Sequence, residues 1–267
     1  MRTRQIALCL VIILAIAGGI IFLTQKQDTQ LLPSETYAET PPAVSEPDPE
    51  QEIPPPPPYE TGLAASDGIG KYFMNRQISK VMGHPGIGWL ERTEREKEEA
   101  PSKAIALLDL APDTIIADIG AGSGYYSFRI APLIPEGKVI AIDIQQEMLD
   151  HLATESKRLG ISNVTPHLGT IESVELPPAS IDAVIMVDAY HEFSHPAEML
   201  ASIRAALKPG GKVFLIEYRA EDPDVPIKEH HKMTEKQAVL ELETLGFTFL
   251  ENKPGLPWQH LLVFEKL

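Results

Sequence analysis

The chain has 267 residues, with 38 acidic against 23 basic side chains and a net charge of −15 with the histidines neutral. That acidity excludes a groove for DNA or RNA, which needs a basic footprint. The one cysteine, Cys9, excludes an intramolecular disulfide framework, a cysteine-based zinc site and a dithiol redox centre.

Arg2 and Arg4 precede an uncharged run of 18 residues, 6–23. As a helix it would span about 27 Å, against a bilayer core of about 30 Å. The apolar character continues past Ala15-Ile16-Ala17, the one small-residue cleavage candidate. A signal anchor over 1–23 is therefore expected, with a cleaved signal peptide as the alternative. Arginines ahead of the span favour a cytoplasmic N-terminus and an extracytoplasmic remainder. Residues 24–60 hold ten prolines, eight acids and one base, Lys26. Such a stretch has little to bury and repels itself, so an extended, disordered linker is expected over 24–67. The run 54–58 of five prolines could also dock in an aromatic groove. The first two segments carry +2 and −7, leaving −10 for the rest.

From 68 to 103 a helical cover is expected, with helices over 71–82 and 88–100. Pro101 opens a further helix, since proline suits a first helical turn. The remainder, 104–267, alternates strands and helices. Apolar runs at 114–118, 138–144, 181–187 and 213–218 read as buried strands, with a third strand in chain order expected at 164–168. Helices are expected over 125–133, 145–159, 196–207 and 234–245. Strands at 247–250 and 260–264 close the chain. Continuous apolar strands between helices imply a mostly parallel sheet covered on both faces.

The first of these strands runs into Asp118-Ile119-Gly120-Ala121-Gly122-Ser123-Gly124. Glycines there permit a tight turn and close approach of a ligand to the backbone. Asp143 ends the next strand, 19 residues past Gly124, where an acid suits ribose hydroxyls. The dinucleotide fingerprint would need glycine at 125, where Tyr125 stands. A nicotinamide oxidoreductase is therefore the disfavoured alternative.

These residues, with Ser180-Ile181-Asp182-Ala183-Val184 and Leu207-Lys208-Pro209-Gly210-Gly211, resemble the class I S-adenosylmethionine-dependent methyltransferases. The segments Tyr190-His191-Glu192-Phe193 and Pro257-Trp258-Gln259-His260 resemble an uncharacterised bacterial subgroup. The resemblance implies a Rossmann-like, doubly wound seven-stranded sheet whose last strand is antiparallel and lies beside the fifth. It implies S-adenosylmethionine as cofactor, over Gly120, Gly122 and Gly124. Asp118 would hold the turn or face the methionine end. Asp143 would meet the ribose and Ile144 the adenine, with Glu172 standing in for the acid that often follows the third strand. Asp188 would lie near the methyl group.

Methyl transfer is an in-line displacement that the protein aids mainly by alignment and exclusion of water. Reacting groups gather beyond the carboxyl ends of the strands. Asp188, His191 and Glu192 are therefore the catalytic candidates, with His191 as base or substrate contact. Trp89, Arg92, His230, His231, Trp258 and His260 are secondary candidates for a lid or pocket wall. The acceptor is expected to be a small or lipophilic molecule, and a binding module without turnover is the alternative. An extracytoplasmic domain would lie away from where this cofactor is made, so the cytoplasmic side stays open. The folded part lacks cysteine, which excludes thiol-based arsenic methylation. His191-Glu192-Phe193-Ser194-His195 also spells H-E-x-x-H, the zinc-hydrolase signature. That signature needs a helix, and His195 precedes Pro196, which disfavours one there; no metal is expected.

Overall fold

The computed structural model describes residues 54–266. The expected signal anchor, and the linker as far as residue 53, lie outside these residues. No helix among the described residues is long and apolar enough to cross a membrane.

The folded part begins earlier than expected, inside the segment assigned to the linker. Tyr59 stacks on Phe73 with ring centroids 5.4 Å apart, and Lys71 Nζ lies 3.7 Å from its ring centre. Its hydroxyl bonds Glu198 and accepts from the Ala197 amide at 3.1 Å. The next residues form β1 (Glu60–Thr61), which joins β2 (Gly68–Phe73) and β3 (Arg76–Ser79) in a three-stranded antiparallel sheet. The helix expected over 71–82 is thus replaced by a hairpin. Met74 and Asn75, at φ 50° and 69°, form its two-residue turn. Two successive left-handed residues match the twist of paired strands, and asparagine tolerates that conformation.

The long charged helix expected over 88–100 is broken into α1 (Ile87–Leu90) and α2 (Arg95–Glu98). Two arginines end α1. Arg92 Nη1 donates to the Trp89 carbonyl and Arg95 Nη1 to the Leu90 carbonyl, both at 3.0 Å. Both carbonyls lie in the last turn, where a helix runs out of its own donors, and that of Trp89 also accepts the Arg92 amide at 3.3 Å. Ala100, at φ 53°, then turns the chain into α3 (Pro101–Leu107).

Next come β4 (Ile115–Ile119), α4 (Ser127–Ile130), β5 (Lys138–Asp143), α5 (Gln146–Leu159), β6 (Val164–Leu168) and β7 (Ile181–Val187). They are followed by α6 (Pro196–Ala206), β8 (Leu207–Tyr218), α7 (Glu235–Thr244), β9 (Phe247–Asn252) and β10 (Gln259–Lys266). The main sheet has the order β6-β5-β4-β7-β8-β10-β9. β10 pairs antiparallel with both neighbours and so separates β8 from β9. This is the expected seven-stranded arrangement.

Alternation along the strands builds two cores. Ala117, Ile142, Val184 and Leu215 pack with Leu200 and Ile203 of α6 and Leu242 of α7. Ile116, Ala141, Ile185 and Ile216 pack with Ala104 of α3 and Leu152 of α5. Both faces are covered, so the strands read as unbroken apolar runs. The reversal of strand order between β4, β5 and β7 leaves a crevice at their carboxyl ends.

Candidate functional site

An open cavity occupies that crevice. Its floor comes from Gly120, Gly122, Asp143 and Asp188, and its cover from Trp89, Leu90 and Arg95.

The turn after β4 is tied to the neighbouring strand. The amides of Gly120 and Ala121 both donate to the Ile142 carbonyl at 2.9 Å. Gly120 and Gly122 have φ 73° and 53°, the left-handed region. A Cβ at Gly120 would lie 2.7 Å from Ala189 Cβ, and one at Gly122 would lie 2.9 Å from Leu90 Cδ1. Only glycine keeps the floor low enough for a ligand to lie beneath the cover. Gly124 has a different task. A Cβ there would strike Leu152 and Phe128 at 2.4 and 2.6 Å. It allows a helix to approach the sheet and does not reach the cavity, contrary to expectation.

Asp118 holds the turn and is absent from the cavity wall. Its Oδ2 accepts from Ser127 Oγ at 2.7 Å, and burial pushes its carboxyl up to about 6. Asp143 accepts from the Gly122 amide at 3.0 Å through Oδ2 and from the Gln145 amide at 2.9 Å through Oδ1. Burial raises its carboxyl, and those amides oppose the rise. It both fixes the glycine turn and faces the cavity. Ile144 follows it there with its side chain exposed.

Glu172 does not take the position expected of it. It is exposed and outside the cavity wall, with Oε1 3.8 Å from His195 Nε2. Thr170 and Ile171 line the wall in its place.

Asp188 sits at φ 49° just past β7. Its Oδ2 accepts from Gln259 Nε2 at 2.7 Å, and Arg95 Nη2 lies 4.0 Å away. Its Oδ1 is buried and, among the described residues, has no hydrogen-bond partner. Burial, with Glu99 and Glu217 nearby, holds this carboxyl well above the usual range.

Glu192 also lines the cavity. Its Oε2 accepts from the Met82 amide at 3.1 Å, and burial pushes its carboxyl up to about 7. His191 does not reach the wall. It is buried, with Nδ1 2.6 Å from Glu217 Oε2 and Nε2 3.2 Å from His231 Nδ1. Its expected direct contact with substrate is therefore not formed. The Glu217 carboxylate draws its pKa upward, against the effect of burial. The H-E-x-x-H spelling has no helix behind it. Residues Tyr190–Glu192 form a single 3-10 turn, Phe193 is extended, and His195 turns toward Glu172 and Tyr59.

Among the secondary candidates, Trp89 lines the cavity, with Arg92 stacked 3.8 Å from its ring centre. Trp258 and His260 do not line it; His260 bonds Asn252 and Glu221 instead. Arg95 and Leu90 carried no signal, because they reach the site only through folding, and Gln259 was noted only within the Pro257-Trp258-Gln259-His260 segment, with no role. Tyr125 fills the place of a third fingerprint glycine. It is buried, with Arg129 and Arg95 3.4 and 4.4 Å from its ring centre.

The fold and cavity define an α/β domain built to hold a small adenosine-bearing molecule at the switch point of a parallel sheet. Residues 116–211 match the family model described as a methyltransferase domain. An uncharacterised methyltransferase of Bacillus subtilis, YcgJ, is 31% identical over 109 residues, covering 40% of this chain and 42% of that protein. An uncharacterised methyltransferase of Mycobacterium tuberculosis is 34% identical over 124 residues, covering 46% and 47%. The chain thus spans under half the length of these curated relatives. A solved S-adenosylmethionine-dependent methyltransferase from Aquifex aeolicus superposes with a TM-score of 0.66 at 23% identity, covering 70% of this chain and all of that one. Residues 116–211 thus resemble a methyltransferase domain, and the fold around them is the one seen in a solved S-adenosylmethionine-dependent methyltransferase.

The residues present fit that family's cofactor. The glycine floor is a cradle that a Cβ would fill at two positions. The unpartnered Asp188 oxygen suits the cationic methionine end. Asp143 and Ile144 offer an acid and an apolar side chain, which suit ribose and adenine.

Proposed function

We propose that this chain transfers the methyl group of S-adenosylmethionine to a small or lipophilic acceptor. The observation that carries the reading is the buried Asp188 Oδ1, left without a partner in a cavity whose floor admits only glycine. A buried unpartnered acceptor costs about 1–3 kcal/mol or more, which a cationic ligand offsets. The bound cofactor supplies an electrophilic methyl group on a sulfonium. The chain's own residues bind and orient it: the 120–122 turn from below, Asp143 at one end and Asp188 at the other. Trp89, Leu90, Ile171 and Phe193 provide apolar walls that exclude water and favour an acceptor of low polarity. The 6–23 run and the acidic linker support a further part of the reading, that the domain works tethered to a membrane.

Calorimetric titration separates this reading from its rivals. Heat on addition of S-adenosylmethionine, and none with NAD, supports it. The reverse result overturns it. A screen with isotopically labelled methyl donor then separates turnover from binding alone. Protease accessibility of the linker in intact cells tests the tether and its side of the membrane.

A further inference from the structure

Three potential ligand atoms converge beside the cavity from two separate loops. His191 and Glu192 lie in the turn after β7, and His231 in the Glu229–His231 turn after β8. His191 Nε2 is 3.2 Å from His231 Nδ1 and 3.9 Å from Glu192 Oε1, while His231 Nδ1 is 3.6 Å from Glu192 Oε1. Ligands about 2.0–2.1 Å from a tetrahedral ion lie about 3.3–3.4 Å from one another. The three separations are those of one face of such a tetrahedron, slightly relaxed.

Each atom is aimed by a further contact. His191 Nδ1–H donates to the buried Glu217, which leaves the Nε2 lone pair turned toward the cluster. A carboxylate on the far nitrogen is the usual support of a metal-bound histidine. Glu217 also accepts the His191 amide at 3.2 Å, and Arg76 and Ser79 bond the His191 carbonyl. Glu192 spends Oε2 on the Met82 amide, which orients Oε1 inward. The second turn is held by His230, whose Nδ1 lies 2.9 Å from Asp67 Oδ1. A hydrogen bond from His231 to His191 would satisfy two of the three atoms. Glu192 Oε1 lies beyond hydrogen-bond reach of both rings, so that pair alone does not explain the convergence.

We infer that His191, His231 and Glu192 form a mononuclear binding site for a divalent first-row transition ion. Two imidazoles and one carboxylate favour zinc or a similar ion over magnesium or calcium, which take oxygen ligands. The site differs from the H-E-x-x-H spelling: it uses His231 and leaves out His195. Glu192 belongs to both the site and the cavity wall, which places the ion at the edge of the cavity.

The test uses the full-length chain without a histidine tag, dialysed against metal-free buffer and assayed for metal by mass spectrometry. One equivalent of zinc or a related ion is expected. Chelator-treated protein titrated with cobalt(II) should develop visible d–d bands that saturate at one equivalent. His231→Asn, at a partly exposed loop, should keep the far-ultraviolet spectrum while lowering bound metal at least tenfold. Glu192→Gln should weaken cobalt binding at least tenfold, and His195→Asn should change neither. Absence of both metal and cobalt bands in the wild-type chain overturns the site and leaves a plain histidine hydrogen bond. Metal retained in full by His231→Asn also overturns it. None of these readouts depends on methyl transfer, so the site and the proposed activity fail separately.

Discussion

Replacing Gly122 by aspartate should abolish cofactor binding while leaving the fold in place. The new Cβ starts 2.9 Å from Leu90 Cδ1, at a backbone φ of 53°. The left-handed conformation costs about 1–2 kcal/mol for a residue with a Cβ, and aspartate tolerates it better than most. The Leu90 methyl is the end of a flexible side chain in the cover and can shift. The larger effect is electrostatic. The Gly122 amide donates to Asp143 Oδ2 at 3.0 Å, so the introduced carboxylate would stand beside the one already there. Two such charges about 5 Å apart repel by about 3 kcal/mol at an effective dielectric of about 20. Together with the lost space above the floor, this predicts at least a 100-fold rise in the Kd for S-adenosylmethionine, or about 2.7 kcal/mol. Gly160→Ala is the control. It shares the left-handed backbone, at φ 66°, but its Cβ meets nothing within 4 Å. It should lower stability by about 1 kcal/mol and leave the Kd unchanged. Calorimetry for affinity and thermal melts for folding distinguish the two effects. A Gly122→Asp chain that melts cooperatively and binds the cofactor as tightly as wild type would refute the assignment of the floor.

Three further predictions concern stability. The Asp118 carboxyl is raised from 3.8 to about 6 by burial. The folded state therefore holds a proton that the unfolded state has released between those values. That difference removes about 3 kcal/mol of stability as pH rises from 4 to 6, and Asp118→Asn should flatten this part of the apoprotein's pH–stability profile and raise the melting temperature at pH 7.5. An unchanged profile would show that Asp118 titrates normally. Glu99 is fully buried and takes Arg92, Arg95 (Nε at 2.5 Å) and the Tyr218 hydroxyl at 2.7 Å. Glu99→Ala leaves Arg95 buried without its main partner and should cost about 3–5 kcal/mol by denaturant titration, whereas a loss under 1 kcal/mol would mean that water replaces it. Tyr59→Ala should cost about 3 kcal/mol. A chain beginning at Gly62 should lose as much, while one beginning at Pro54 should melt with the full-length domain.

How much could be read in advance depended on how local each feature was. The strand β7 coincides with the apolar run 181–187, because a strand buried on both faces is apolar at nearly every position; β6 also coincides with 164–168, but it lies at the sheet edge, where Thr165, Pro166 and His167 need not be buried. Gly120, Gly122, Asp143 and Asp188 were legible for a similar reason: each lies at the end of a legible strand. The region before residue 101 was misread because its organisation depends on contacts far away in the chain. Tyr59 resembles the rest of a proline-rich linker until Glu198 and Phe73 are brought to it. The 71–82 stretch has helix formers on both sides of Met74 and Asn75, and only the Asn75 turn signal pointed to a hairpin. Arg92 was expected in a lid or pocket wall and Arg95 fell within the expected 88–100 helix, yet both fold back on α1 and reach Glu99. His191 was singled out as a base or substrate contact, but its surroundings come from Glu217, 26 residues away, and His231, 40 residues away. Spacing within a motif cannot show a site that two loops assemble.

The acids gathered at the carboxyl ends of the strands have a shared consequence. Burial raises the pKa of Asp118, Asp143, Asp188 and Glu192 above the ordinary range. Each is therefore a carboxyl whose ionised form the folded chain disfavours, and each lowers stability as pH rises toward its folded value. A fold selected only for stability would replace them with apolar groups. The presence of Asp143, Asp188 and Glu192 around one cavity makes sense if the ligands that occupy it are cations. A sulfonium and ammonium above Asp188, and a divalent ion beside Glu192, would each restore the ionised form by direct attraction.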